Sequence, residues 1–203
     1  MLQGFTITGG VAGTGGGILC DNSGPTIRHC VITGNQATRF TGGGVDCYNS
    51  TATFINCTIA GNYAARGGAG VSSDQGADMF TNCIIWDNTL DAVLAVEEEV
   101  SLRFCTVEGS WIGEGNLDSD PQFVAPGYWA LPYDLEQPVP ANTSGAIWVA
   151  GDYHLSSPAG HYDVETATWI GDVVSSLCID GGDPNFSHKR EPEPKGAYIN
   201  MKD

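Results

Sequence analysis

The side chains in this chain that could do chemistry are seven cysteines, four histidines and a large excess of carboxylates, 24 Asp and Glu against 8 Lys and Arg. The odd cysteine count leaves at least one thiol outside any set of bridges. Cys30-Val31-Ile32 lacks C-x-x-C spacing and no Cys/His cluster has zinc-ligand spacing, so a metal–thiolate centre is not expected. His154 and His161 flank Ser156-Ser157-Pro158, but nearness in sequence does not build an ordered Ser/His/Asp relay. Asp180-Gly181-Gly182-Asp183-Pro184 has oxygens enough for a calcium ion, and reads first as a tight turn. Glu97-Glu98-Glu99 reads as a solvated acidic turn.

The formal charge of −16 narrows the partners. Such a surface repels phosphate backbones and anionic membranes, so nucleic acid is not an expected partner. No segment approaches the apolar length of a membrane span, so membrane insertion is not expected either. Met1-Leu2-Gln3-Gly4 leads straight into strand-like Phe5-Thr6-Ile7-Thr8, so the signal of an exported parent would lie upstream of this chain. At 203 residues, with 28 glycines and 16% charged residues, the chain suits one turn-rich β domain.

What must position these side chains is a repeat. Residues 15–35 (GGGILCDNSGPTIRHCVITGN), 42–62 (GGGVDCYNSTATFINCTIAGN) and 68–88 (GAGVSSDQGADMFTNCIIWDN) align, and a degenerate fourth copy runs from Ala92 to Gly109. Cys30, Cys57 and Cys83 follow one another at 27 and 26 residues and Cys105 at 22; Asn35, Asn62 and Asn88 keep 27 and 26, as do Ile18, Val45 and Val71. Within each copy the apolar residues alternate with period two, as in Cys57-Thr58-Ile59, and Gly, Asn, Ser and Thr fill the gaps. A unit this small cannot bury its apolar face alone, so copies must stack as parallel strands roughly 4.8 Å apart. The expected fold is all-β: a single-stranded right-handed parallel β-helix, or solenoid, with coils of about 22 to 27 residues. Ile18/Val45/Val71, Ile27, Ile32/Ile59/Ile85 and the cysteines should point inward. Asn35/Asn62/Asn88 should form an amide ladder at a turn, and a second amide column, Asn56 and Asn82, is broken by His29 and Phe104. Stacked cysteines with parallel Cβ vectors lie about a full rung apart, too far for the usual bridge, so an unbridged thiol ladder is expected.

The segment GFTITGG at 4–10, the GGGI and GGGV strand starts, and the style of 26–35, 53–62 and 79–88 resemble right-handed β-helix repeat proteins of secreted bacterial type, in the broad pectate-lyase-like superfamily. The same style is similar to repeats of chlamydial polymorphic outer-membrane proteins, without their full F-x-x-N motif. Gly115-Asn116-Leu117-Asp118-Ser119-Asp120-Pro121-Gln122-Phe123, Asp152-Tyr153-His154-Leu155, Cys178-Ile179-Asp180-Gly181-Gly182-Asp183-Pro184 and Ile199-Asn200-Met201 resemble the closing region of such proteins in planctomycete-like bacteria. The resemblance implies an extracellular or cell-surface location and a chain trimmed from a longer one, with an open end either capped locally or joined end to end. It says little about activity. Polygalacturonase-type hydrolases of the superfamily would bring a paired aspartate and a Gly-His-Gly motif, and neither occurs here.

One domain with two regions is expected: regular coils over 1–109, and irregular coils, loops and a cap over 110–203. Ile147-Trp148-Val149, Tyr153-His154-Leu155 and Leu177-Cys178-Ile179 read as short strands adding one or two irregular coils, with the tryptophan-bearing loops folding back as a side cover. Glu191-Pro192-Glu193-Pro194 reads as an extended acidic edge.

On this frame the first sheet carries two outward columns, Leu19/Asp46/Ser72 and Asp21/Tyr48/Asp74. Asp21, Asp46, Tyr48 and Asp74 are therefore the candidate ligand face: Asp21, Asp46 and Asp74 form a zigzag at about 7–8 Å that could flank a sugar or share a calcium ion. No catalytic residue and no metal ligand is assigned, and no cofactor beyond calcium is suggested. Arg28 should project outward on the second sheet. Arg39 and Arg66, each four residues after a ladder asparagine, should pack near Phe40 and Tyr63. The leading functional reading is a non-catalytic structural or glycan-binding β-helix module of an exported bacterial protein, its partner a polysaccharide or cell-surface glycan. The alternatives are a polysaccharide lyase or glycoside hydrolase acting on the outer sheet face, and a scaffold that associates with itself end to end.

Overall fold

The computed structural model describes residues 1–96, 100–163, 166–186 and 201. The expectations for Glu97-Glu98-Glu99, for Glu191-Pro192-Glu193-Pro194 and for Ile199-Asn200 lie outside the described residues. Among those described there is no helix, hence none long and apolar enough to cross a membrane.

Each copy of the repeat forms one turn of a parallel β-solenoid, and equivalent strands of successive turns pair in register. The first sheet stacks Ile18–Asp21, Val45–Tyr48, Val71–Asp74 and Val93–Val96. The second stacks Leu2–Gln3, Thr26–Arg28, Thr53–Ile55, Met79–Thr81 and Ser101–Arg103; the third stacks Thr6–Thr8, Val31–Thr33, Thr58–Ala60, Ile84–Trp86 and Thr106–Val107. A fourth, shorter ladder joins Val11–Ala12, Gln36–Ala37 and Tyr63–Ala64.

Period-two alternation decides which side chains enter the solenoid. Ile18, Val45 and Val71 share one column, and Ile32, Ile59 and Ile85 another, with Val45, Val71 and all three isoleucines fully buried. The Ile27 column continues as Phe54, Phe80 and Leu102. Parallel register puts the Phe54 and Phe80 rings face to face, with centroids 4.6 Å apart and planes within 3°. All seven cysteines are free and buried. In the main column each thiol donates to the carbonyl two residues before it: Cys30 to Arg28 at 3.1 Å, Cys57 to Ile55 at 3.4 Å, Cys83 to Thr81 at 3.4 Å and Cys105 to Arg103 at 3.3 Å. Desolvation pushes the Cys83 thiol well above its ordinary range, so it stays protonated and inert.

The turns between strands are laddered too. The column between the second and third sheets, His29, Asn56, Asn82 and Phe104, is left-handed throughout, with φ between 48° and 55°. Asparagine tolerates that conformation, which explains the two amides; His29 and Phe104 occupy it at a steric cost. Another left-handed column of the repeat is Asn22, Asn49 and Gln75, with Asn49 Nδ2 donating to Asn22 Oδ1 at 2.5 Å.

The second half departs from expectation in two ways. Its strands add no coils to the solenoid. They pair antiparallel, Phe123–Ala125 with Asp152–Leu155, Tyr128–Leu131 with both Asp134–Pro138 and Ile147–Val149, and His161–Asp163 with Thr168–Ile170. Leu177-Cys178-Ile179, expected as a strand, lie in a turn, with Cys178 against Thr106 Oγ1 at 3.1 Å and the Ser176 hydroxyl accepting the Cys178 N–H. Only the segment around Leu117 continues the coil path: Phe104 N–H donates to Glu114 O, Leu117 N–H to Cys105 O and Val107 N–H to Leu117 O, while Trp111 packs on the end of the core.

The antiparallel strands lie on the outer face of the third sheet. Trp129 Nε1 donates to Gly61 O at 3.1 Å, and Thr33 Oγ1 lies 2.7 Å from Tyr153 OH. Trp148 lies against Gly34 and Gly61, where an added Cβ would meet its ring at 2.1 and 1.9 Å. Ile84, Cys178 and Met201 form a second small core between sheet and cover.

Candidate functional site

The columns expected on the first sheet are present, and the members of the expected ligand face differ in exposure. Leu19, Asp46 and Ser72 are in register, as are Asp21, Tyr48 and Asp74. Asp46, however, is buried: Thr14 Oγ1 and Thr41 Oγ1 donate to its carboxylate at 2.5 and 3.3 Å, and Ser72 in the same column is buried too. The chain between coils folds across this column, and the two threonines that it carries engage the Asp46 carboxylate. Asp21 and Tyr48 are exposed and Asp74 is half-buried; Asp21 accepts from Asn22 Nδ2 and Tyr48 OH reaches Gln75 Oε1 at 3.4 Å. Arg66 stacks over Phe40 at 5.2 Å, a surface packing contact as its spacing suggested.

Asp78, which the sequence reading did not single out, is fully buried at the inner end of the turn between the first and second sheets. Its carboxylate accepts from Ser50 Oγ at 2.6 Å, the Ala52 N–H at 2.7 Å and Ser73 Oγ at 2.7 Å. Three donors satisfy it, which makes it a structural bolt.

Two of the histidines are brought together, and the Ser157 N–H donates at 2.9 Å to the same Asp172 Oδ2 that His161 Nδ1 faces. His154 Nδ1 is 2.5 Å from Asp152 Oδ1, His161 Nδ1 is 3.4 Å from Asp172 Oδ2, and the two rings stack with centroids 6.1 Å apart. Burial works to raise the Asp152 carboxyl, but hydrogen bonds from the backbone and ring of His154 outweigh it and leave the group below its ordinary value. Ser157 Oγ accepts the Ala159 N–H. The Asp180–Pro184 stretch is a turn as read, with Asp183 Oδ1 accepting from Asn185 and the Asp183 N–H donating to Asn82 Oδ1. Among the described residues no group of three or more His, Cys, Asp or Glu side chains is placed to hold a metal ion.

A cleft of about 330 Å³ between the third sheet and the cover gathers aromatic and acidic side chains away from both places. Ala60, Trp86 and Asp87 come from the sheet; Asp120, Gln122, Phe123, Pro126 and Tyr153 come from the cover. Phe123 and Tyr153 meet edge to face at 5.0 Å, and Tyr153 is locked by its hydroxyl contact with Thr33. Asp120 Oδ1 accepts the Gln122 N–H at 2.7 Å, and the Asp87 N–H donates to Glu108 Oε2 at 2.8 Å. Asp87 stands exposed at the rim, its carboxyl raised above the usual range first by partial desolvation, then by Glu108 and Asp120. Gln122 Oε1 is buried and accepts no hydrogen bond.

A sequence signal for half of this cleft existed. The copies end T-G-N, A-G-N and W-D-N, so Trp86 and Asp87 stand where Thr33-Gly34 and Ala60-Gly61 stand below. Gly34 and Gly61 have φ of 64° and 65°; Asp87 keeps the same turn at 54°, a conformation that suits aspartate less well than glycine.

No family model, no curated protein and no solved structure matches the chain. Its class is the one its coordinates define, an all-β parallel β-solenoid of about four turns.

Proposed function

We propose that this chain is a glycan-binding β-helix module of an exported or cell-surface bacterial protein, related in style to the pectate-lyase-like superfamily, with its ligand seated in the cleft between the third sheet and the cover. The observation that carries the reading is the meeting of Trp86, Phe123 and Tyr153 with Asp87, Asp120 and the unpartnered Gln122 carbonyl in one cavity. Aromatic faces take the apolar side of a sugar ring, and a few fixed polar groups take its hydroxyls. The volume is at the small end of the roughly 300–1,000 Å³ common for ligand pockets, a seat for a mono- or disaccharide unit. Burial of all seven thiols is compatible with life in an oxidising compartment without bridges.

Titration calorimetry against a panel of neutral, acidic and basic oligosaccharides tests this. Binding by the intact chain that Trp86→Ala weakens about tenfold or more, the scale of a lost aromatic contact, supports it. Silence across the panel, or binding indifferent to Trp86→Ala, ends it.

A second reading, glycoside hydrolysis, has one observation in its favour: two carboxylates edge the cleft, and the one at Asp87 holds its proton to higher pH than usual. In that case Asp87 gives its proton to the leaving oxygen as the glycosidic bond breaks. Asp120 takes a proton from the water that adds to the anomeric carbon. Release of reducing ends that Asp87→Asn abolishes, with binding retained, would establish turnover.

A further inference from the structure

We infer that the cleft takes an amine-bearing sugar, a glucosamine-type unit with a free ammonium group, in preference to a neutral sugar or a uronic acid. The inference rests on the glycan-binding reading and names its ligand class. Acceptors dominate the polar groups of the cleft, beside the N–H donors of the Gln122 amide and the Trp86 indole. Asp87 and Asp120 bring carboxylates, and the Gln122 carbonyl oxygen lies buried with no donor to meet it. Among the described residues that line the cleft there is no Lys, Arg or His. Glu108 adds a third carboxylate behind Asp87, held there by the Asp87 N–H.

Like charges gathered this closely repel one another, and in the free protein no lining side chain relieves them. An ammonium group placed between Asp87 and Asp120 would, and its N–H donors could also reach the Gln122 oxygen. A uronate would add a further negative charge to the same space. A neutral sugar would satisfy the aromatic walls and leave the carboxylates opposed. A bare divalent cation would want six to eight oxygens and would use none of the aromatic surface. The aromatic walls and the acidic edge together fit a ligand that is apolar on one face and cationic at one substituent.

The experiment compares glucosamine disaccharide, its N-acetylated counterpart, a neutral glucose disaccharide and a galacturonate disaccharide by calorimetry at low and moderate salt. N-acetylation removes the charge and keeps the ring, so it isolates the ammonium group. The glucosamine disaccharide should bind about tenfold more tightly than the acetylated one, the effect of one charge-assisted hydrogen bond. That advantage should shrink with added salt and in Asp120→Asn, which keeps an acceptor for the Gln122 N–H. Asp74→Asn, on the first sheet, should leave it unchanged. Equal or tighter binding of the acetylated or neutral sugar overturns the inference while the glycan-binding reading stands. Equal weakening by Asp74→Asn overturns it as well, because the amine would then be answering only the net charge. Calcium that binds alone and displaces the amino sugar overturns it in favour of a metal. Failure of every sugar removes the underlying reading instead.

Discussion

Asn35 and Asn62, 27 residues apart in sequence, are joined twice: Asn62 Oδ1 accepts both the backbone N–H and the side-chain amide of Asn35, each at 3.0 Å. Asn62 repeats the pair of bonds on Asn88, and its amide also reaches Ile32 O at 2.9 Å and Ala60 O at 3.2 Å. The central asparagine therefore satisfies groups on three successive turns. Asn62→Ala leaves buried donors and acceptors on all three without partners and should lower stability by roughly 3 kcal/mol, read from the urea midpoint. A loss below about 0.5 kcal/mol would mean that the ladder is ornamental.

Gly61 tests how the cover is seated. Its φ is 65°, and an added Cβ would come within 1.9 Å of the Trp148 ring. Gly145 also has positive φ, 80°, but nothing within 4 Å of its Cβ position. Gly145→Ala should cost only the backbone strain, about 1–2 kcal/mol. Gly61→Ala should cost more and shift the tryptophan emission to the red as Trp148 is pushed outward. Equal effects for the two variants would show that Trp148 does not rest on this turn.

Asp78 holds three buried donors, from Ser50, Ala52 and Ser73. Asp78→Ala orphans all three and should destabilise by roughly 3 kcal/mol or more, whereas Asp78→Asn, with one acceptor retained, should cost less. Neither should change ligand binding at the Trp86 cleft, since Asp78 faces the turn at the opposite side of the coil. Loss of binding without loss of stability would contradict that assignment.

Thiol reagent counts give a direct reading of the cysteine ladder. The native protein should react slowly at all seven positions, and the urea-unfolded protein should titrate all seven thiols without prior reduction. A count of five or fewer in urea would reveal a bridge and displace the packed-thiol description.

Alkaline pH should loosen the fold. Burial raises the Cys83, Cys178 and Tyr153 groups above their ordinary values, so the unfolded chain gives up these protons first. Their contribution to stability is whole below the ordinary thiol pKa of about 8.5 and declines as pH climbs above it. The urea midpoint should fall between about pH 7 and pH 10, and Cys178→Ala should flatten part of that fall while lowering stability at neutral pH. A midpoint independent of pH over this range would contradict the burial of these groups.

Much of the solenoid was readable because a repeat is a translation. A parallel strand paired one turn above its equivalent presents the same side chain to the same surroundings, so the spacing of Cys30, Cys57 and Cys83, or of Asn35, Asn62 and Asn88, is already a statement about neighbours in space. Strand alternation then settled inside from outside for Val45, Ile59 and their columns. It could not settle exposure. Asp46 points away from the core in the expected column and is nevertheless buried, because the loops carrying Thr14 and Thr41 close over it. That closure depends on loop paths, which no periodicity encodes.

Residues 110–186 have no such symmetry. Their strands could be recognised at Ile147-Trp148-Val149 and around Tyr153, but whether they extended the helix or lay against its side was a question of which surfaces fit. The third sheet offers Gly34 and Gly61 as flat ground for an indole and Thr33 as a partner for a phenol, and the cover supplies both. The sequence by itself determined the coil, its apolar columns and its amide ladders, since those follow from repeated local pairing. The tertiary structure alone decided the cleft: Trp86 and Asp87 meet Asp120, Gln122, Phe123 and Tyr153 only after a nonrepeating segment has docked, and docking is a matter of shape and burial across distant parts of the chain.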